Sequence, residues 1–485
     1  MPKFVFLWTD VVLYAMLIVL AWYGWRIKTH ANLRANWVKV ARDPAAVCAG
    51  IVLALFAGVT VIDSVHFRRA LTPAAGAAVD APTFFATNTE SLLDLLLSRQ
   101  IEMRESNYSA PLDVFGFNKE AIEINGQPAR AYPRLKFAGS HLTDPQKEWV
   151  GDVTKLAAQG AIGGLLLAAF AMLGTAWLVR AQHGGVPAAL RDIAANRTDM
   201  PLRAALITVT VICVLAGPVV AVMGHYHVFG TDRTGNDVLY QALKSVRTAF
   251  VIGTLATVAT LPFAVVLGIL AGYFGGWVDE AIQYLYTTLT SVPNVLLIAA
   301  CVLMMQVFLD KHPELFETGS ERSDIKVFLL CVILGLTGWA TLCRLVRGET
   351  LKLRELEFVQ AATAFGVSHA RIMSRHIMPN VMHLVLITTV LSFSELILYE
   401  AVLTYVGVGV DPSMNSFGGM INLARSEMSR DPVVWWSFAA AFGFMVSLVL
   451  AANLFADGVR DAFDPRASVL RPRRASVTAA ASKLG

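Results

Sequence analysis

Two groups of residues have side chains that could do chemistry. His225, His227, Asp232 and Asp237 crowd one stretch, and Glu395 and Glu400 stand inside a long apolar run. The first group has the donor types of a metal site, but Gly230 and Gly235 among them equally suit a chain folded through tight turns. The second group is costly, because a carboxylate at membrane depth faces a cavity or a partner. Glu395 either lines a solute path or makes an interhelical hydrogen bond as the protonated acid. Pro293, flanked by Ser291 and Asn294, interrupts another apolar run. It marks either a broken helix along such a path or a kink rebonded by its neighbours. Phosphate-cradling chemistry is absent, since a G-x-x-x-x-G-K-[ST] loop needs a Gly-Lys pair and the sequence has none. No Ser/His/Asp or His-Glu-x-x-His pattern stands out. The five cysteines fall in or beside apolar runs, none at C-x-x-C spacing, and read as small buried hydrophobes. Neither a catalytic residue nor a metal ligand is expected.

The elements that must hold these residues are membrane spans. The chain has 485 residues, is 55% hydrophobic and only 16% charged, with mean hydropathy +0.56. Nine runs reach the roughly 20 apolar residues that a helix needs to cross a bilayer: about 8–25, 46–63, 156–179, 204–223, 247–271, 284–309, 326–343, 381–403 and 434–456. The first is read as an uncleaved anchor. It carries Asp10, ends in Trp22, Tyr23, Trp25 and Arg26, and lacks a small-x-small cleavage site. Basic residues concentrate in the loops after spans 1, 3 and 7 and after span 9, as in Arg26, Lys28, Arg34, Lys39 and Arg42. With nine spans these loops share one face, so the N-terminus is expected outside and the C-terminus in the cytoplasm. With net charge +4 and its cations scattered, the chain is not expected to bind nucleic acid.

Two segments outside the spans have character of their own. Residues 64–155 are expected to be extracytoplasmic, as a small domain or as a poorly ordered loop, with Asn125-Gly126 turning a β-hairpin. The loop between spans 7 and 8 reads as two helices. Phe358, Ala361, Ala362 and Phe365 recur at helical spacing. Gly366 stops the first helix, and Ser368 is expected to cap a second that ends before Pro379. The apolar stripe either fills a groove on another protein or lies on the membrane.

This loop carries a family resemblance. Gln360-Ala361-Ala362, three residues, Gly366 and then Pro379 thirteen residues on resemble the coupling loop of ABC-importer permeases, which reads Glu-Ala-Ala, three residues, Gly, then Ile-x-Leu-Pro. Gln360 replaces the glutamate, and His376 and Met378 replace Ile and Leu. Other stretches follow in register: His227 to Leu239, Ala271 to Asp279, Leu342 to Gly348, Tyr399 to Gly409, and Asp457 to Pro465. Together they look like the C-type permease of the dipeptide/oligopeptide transporter family, over about 204–466.

The resemblance implies an all-α polytopic fold with a type I importer core of six helices at 204–466 and the coupling loop at 350–380. Residues 1–63 add two spans, 64–155 the insert, 156–203 a third span with a basic loop, and 467–485 a basic tail. It also implies that Gly230, Thr231, Asp232, Gly235 and Asp237 form an outer-gate motif, and that Gln360, Ala361, Ala362, Phe365, Gly366 and Pro379 couple to an ATPase. Pro293, Glu395 and Glu400 are candidates to line the path. The implied partners are a B-type permease, two ATPase subunits holding ATP and magnesium, a periplasmic or extracellular solute-binding protein, and membrane lipid. No cofactor is expected on this chain. A secondary transporter or channel is the competing class, but it leaves the loop unexplained, and neither internal repeats nor a filter-like ring is legible.

Overall fold

The computed structural model describes residues 3–71, 85–124, 127–316 and 318–463. In chain order these form β1 (Lys3–Val5), α1 (Trp8–Thr29), α2 (Ala31–Arg42), α3 (Pro44–Asp63), β2 (His66–Arg68), β3 (Glu90–Ser91), α4 (Leu92–Leu96) and α5 (Ser98–Glu102). Then come β4 (Glu120–Ile124), β5 (Gln127–Ala131), α6 (Pro145–His183), α7 (Val186–Ala194), α8 (Leu202–Val222), α9 (Val238–Phe274), α10 (Gly276–Ser291) and α11 (Asn294–Lys311). The chain continues with α12 (Gly319–Arg354), α13 (Glu357–Ala364), α14 (His369–Ile372), α15 (Met378–Tyr405), α16 (Phe417–Glu427) and α17 (Trp436–Phe463). Among the described residues, nine helices are long and apolar enough to cross a membrane: α1, α3, α6, α8, α9, α11, α12, the run His369–Tyr405, and α17.

Small residues set the closest helix contacts, where packing between helices in lipid has to come from shape. A Cβ on Gly268 of α9 would sit 2.8 Å from the Cys343 carbonyl of α12, and one on Gly272 would sit 2.6 Å from Thr350. α6 and α8 meet the same way, since a Cβ on Gly160 would lie 2.3 Å from the Gly217 carbonyl. Outside that seam this pair shows apolar side chains such as Phe170 and Leu215 to its surroundings.

Three expectations need correction. The span at 284–309 is not one helix. α10 ends at Ser291, Val292 is extended, and α11 begins after Pro293. Proline lacks the N–H that a continuing ladder needs, and it pushes the residue before it out of helical geometry. The second helix of the coupling loop does not end before Pro379. It runs through a π-helical turn at Met373–Ile377 directly into α15. The wider turn carries the chain past the proline, and Asn380 donates its side-chain N–H to the His376 carbonyl there, 2.6 Å away. Ser368 makes no side-chain cap; its carbonyl accepts from Arg371 and Ile372 instead.

The insert expected at 64–155 has secondary structure of its own among the described residues. β4 and β5 pair antiparallel with Ile124 opposite Gln127; the Asn125-Gly126 turn lies outside the described residues, as do 72–84 and the tail. The insert's core is shared, because Val114 and Leu142 pack with Val222 and Tyr226 at the end of α8.

Candidate functional site

The stretch before α9 is a knot of hydrogen bonds. Asp237 caps α9, accepting from the Tyr240 N–H at 3.0 Å with one oxygen and pairing with His227 Nδ1 at 2.7 Å with the other. Asp232 accepts from the N–H groups of Thr234 and Asn236 and from the Gln241 amide. Gly230 and Gly235 both have positive φ, +68° and +76°, where a side chain is strained. A Cβ on Gly235 would also stand 1.9 Å from the Glu105 carbonyl. The Thr231 hydroxyl donates to the Asn107 carbonyl, 2.9 Å away, and accepts from the Ser109 N–H. The Trp436 indole donates to the Thr231 carbonyl.

The insert therefore grips this motif, and its main contact is one that sequence reasoning missed. Glu105 accepts from the N–H groups of Lys136, Phe137 and Ala138. Its Oε1 stands 3.8 Å from His227 Nε2, too far for a hydrogen bond but close enough for charge pairing. Burial disfavours the charged form of His227. The hydrogen bond to Asp237 and the charges of Asp237 and Glu105 outweigh it, raising the pKa to about 9. Burial likewise opposes ionisation of Glu105, but His227 and the backbone donors hold its carboxyl below the usual range. His225 turns elsewhere, its ring against His141, so the four residues of the stretch do not converge. Among the described residues, no group of three or more His, Cys, Asp or Glu is placed to hold a metal.

A second missed cluster ties the N-terminal helices to α9 and α12. Arg247 is buried and contacts Asp10 of α1 at 2.6 Å and the Ser64 hydroxyl at 3.2 Å. Asp324 of α12 accepts from the Thr9 N–H at 3.1 Å. One turn away, Lys244 pairs with Asp63 at 2.7 Å and with Asp94 at 3.0 Å. The available signal was charge inside apolar runs; which charge meets which is decided by tertiary packing.

At the other end of the molecule, α13 is seated by its inner face. Val359 is buried, and with the half-buried Ala362 it packs into the cluster formed by α9, α12 and the π turn. Phe358, Gln360, Ala361 and Phe365 face outward, Phe365 at 86% exposure. The expected stripe is thus split between an inner anchor and an outer surface. Gly366 ends the helix at φ +72° with nothing within 4 Å of a built Cβ. Beside the helix a cavity of about 620 Å³ is lined by Tyr273, Arg354, Gln360 and His369.

Pro293 and Glu395 line one cavity of about 450 Å³ between α10, α11, α12 and α15. Glu400 does not join them: it is fully buried and accepts from the Thr404 hydroxyl at 2.8 Å. All five cysteines are free thiols.

Comparison with known proteins places these features. The family described as "Binding-protein-dependent transport system inner membrane component" matches residues 264–469. The oligopeptide transport system permease protein OppC of Mycobacterium tuberculosis is 33% identical over 248 residues, covering 51% of this chain and 79% of that one. OppC of Escherichia coli is 31% identical over 243 residues, covering 50% and 73%. Among solved structures, an inward-facing MetNI methionine ABC transporter chain aligns with TM-score 0.34 and 15% identity over 47% of this chain and 96% of that chain; so remote an overlap adds nothing to the assignment. The chain belongs to the binding-protein-dependent ABC importer permeases, as a C-type, multi-pass and non-catalytic membrane subunit with an extra N-terminal membrane region.

Proposed function

We propose that this subunit, with a B-type permease, frames a path for peptides or similar small solutes across a bacterial inner membrane. The N-terminus lies outside and the C-terminus in the cytoplasm. Two separate ATPase subunits hold ATP and magnesium, and a solute-binding protein delivers cargo to the outer face. The core is residues 204–466, with the coupling loop at 350–380. The observation that carries this reading is α13: a short helix anchored inward by Val359 and Ala362, with Phe358 beside the His376 ring, that presents Ala361 and Phe365 outward. An apolar helix face held out on a rigid base suits a groove on another protein. Closure of the ATPase pair would push on Gln360, Ala361, Ala362 and Phe365, and the continuous helix past Pro379 would carry the push into α15. Gly230, Thr231, Asp232, Gly235 and Asp237 shape the outer gate.

The test is purification of the tagged chain in mild detergent with its bound proteins. A second permease, one or two ATPases and ATP hydrolysis should be recovered. Gly366→Pro cannot adopt the required φ, and it should separate ATP hydrolysis from uptake while leaving membrane insertion intact. Normal transport by that variant would remove the docking role. Recovery of the chain alone would favour a channel or secondary transporter.

A further inference from the structure

Among the described residues, Glu395 is the one membrane-depth carboxylate left without a hydrogen bond or ion pair, although it lies well within α15. Glu400 is the contrast. It lies five residues on and, at about 100° per residue, roughly 140° around the helix. There it is packed and bonded, while Glu395 is exposed. A bare carboxylate against hydrocarbon is too costly to be its resting environment, so this face of α15 meets water or another subunit.

The cavity that Glu395 lines says what it is suited to meet. No Lys, Arg or His contributes to the wall, so Glu395 is its only formally charged side chain. The other polar groups are the Asn294 amide and seven hydroxyls, four of which already have their protons committed. Thr260, Thr290, Thr337 and Thr388 each donate to the carbonyl four residues back, at 2.8, 2.9, 2.9 and 2.9 Å. A hydroxyl whose proton is spent this way has only lone pairs left to offer. The wall therefore presents the lone pairs of these four threonines beside one formally negative side chain, and has no cation. Its volume, about 450 Å³, falls in the range of small-molecule sites. The complementary group is a compact cation with several donors, which is a primary ammonium.

We infer that Glu395 is a specificity-determining residue of the path, selecting solutes that carry a protonated amine, such as the free amino terminus of a peptide. This rests on the reading of the chain as a permease whose path runs through this cavity.

Two measurements test it on the complete transporter in proteoliposomes. The first needs no knowledge of the solute. On a background with the five native cysteines changed to alanine, Ser392→Cys, one turn from Glu395 on the same wall, is reacted with trimethylammonium and sulfonate methanethiosulfonates. A negative wall should favour the cationic reagent by roughly tenfold through its local potential, and Glu395→Gln should bring the ratio towards one. An unchanged ratio overturns the proposal. So does a Ser392→Cys thiol that neither reagent reaches, which would place this face against the partner permease. The second measurement is ATP-driven uptake of trialanine and N-acetyl-trialanine, with the binding protein held constant so that its own preference cancels. Glu395→Gln should lower the free-amine to acetylated ratio by about tenfold; an equal fall for both peptides counts against selection. If neither peptide enters in any variant, the peptide reading of the transporter fails, and the labelling ratio still decides the role of Glu395.

Discussion

The two ends of the core differ in where their bonds go. At one end, the motif from His227 to Gln241 is bonded within itself and to other parts of the same chain: Glu105, Asn107 and Ser109 of the insert, and Trp436 of α17. At the other end, α13 spends one face on the core and leaves Ala361 and Phe365 exposed. A region completed by its own chain should fail by unfolding. A region completed by another protein should fail by losing that protein while the fold survives.

The sharpest way to break this contrast is Glu105→Ala. It leaves His227 buried with half of its counter-charge gone and three N–H donors unsatisfied, and losing one side of a buried pair costs about 3–5 kcal/mol. The detergent-solubilised protein should melt at a clearly lower temperature; an unchanged melting point would mean that the insert does not support the motif from His227 to Gln241.

Next is the alkaline limb of stability. His227 has a folded pKa of about 9, raised above its ordinary value of about 6.5. Its contribution is therefore complete below about pH 6.5 and is lost as pH rises through 9, an effect of a few kcal/mol. Melting temperature should fall between pH 7 and 10, and His227→Gln should flatten that fall. Glu105, with its carboxyl held down, runs the other way and loses its contribution on acidification.

Phe365→Ala should do the opposite of Glu105→Ala. Truncating an exposed aromatic anchor typically costs about 2 kcal/mol of binding, so ATPase subunits should co-purify in reduced yield while the melting point stays put. A lower melting point with normal ATPase recovery would reverse the contrast.

The smallest effect is expected for Gln360→Glu, which restores the family carboxylate at an exposed position where a new ion pair is worth about 0–1 kcal/mol. Transport should change by a few-fold at most, and a large gain would show that the groove already presents an unmatched cation.

Much of this architecture could be read from residue order, because lipid imposes simple demands. Length and apolarity located the helices, and Gly366 stood where a left-handed stop was needed. The family motifs picked out Asp232 and Asp237, whose partners lie within ten residues. Legibility ended where a decision depended on packing. Pro293 allowed a kink or a break, and the surroundings chose the break. Pro379 looked like a stop, yet a π turn carried the helix through it. Glu105 sits in an ordinary polar stretch, and only the arrival of residues 136–138 and 227 around it reveals its part. Phe358 and Val359 are neighbours of similar apolarity, and only the way α13 leans on the core decides which is buried.

The contact between Asp10 and Arg247 spans 237 residues, and that separation is also a delay. At ribosomal speeds of about 5–20 residues per second, Asp10 emerges on the order of tens of seconds before its cation exists. Asp10 first meets His66, 56 residues on and 2.7 Å away in the finished fold, and the first helix must still wait in or beside the bilayer for the guanidinium of α9 to complete the contact. The N-terminal helix is thus fixed in stages, by His66 first and by Arg247 later.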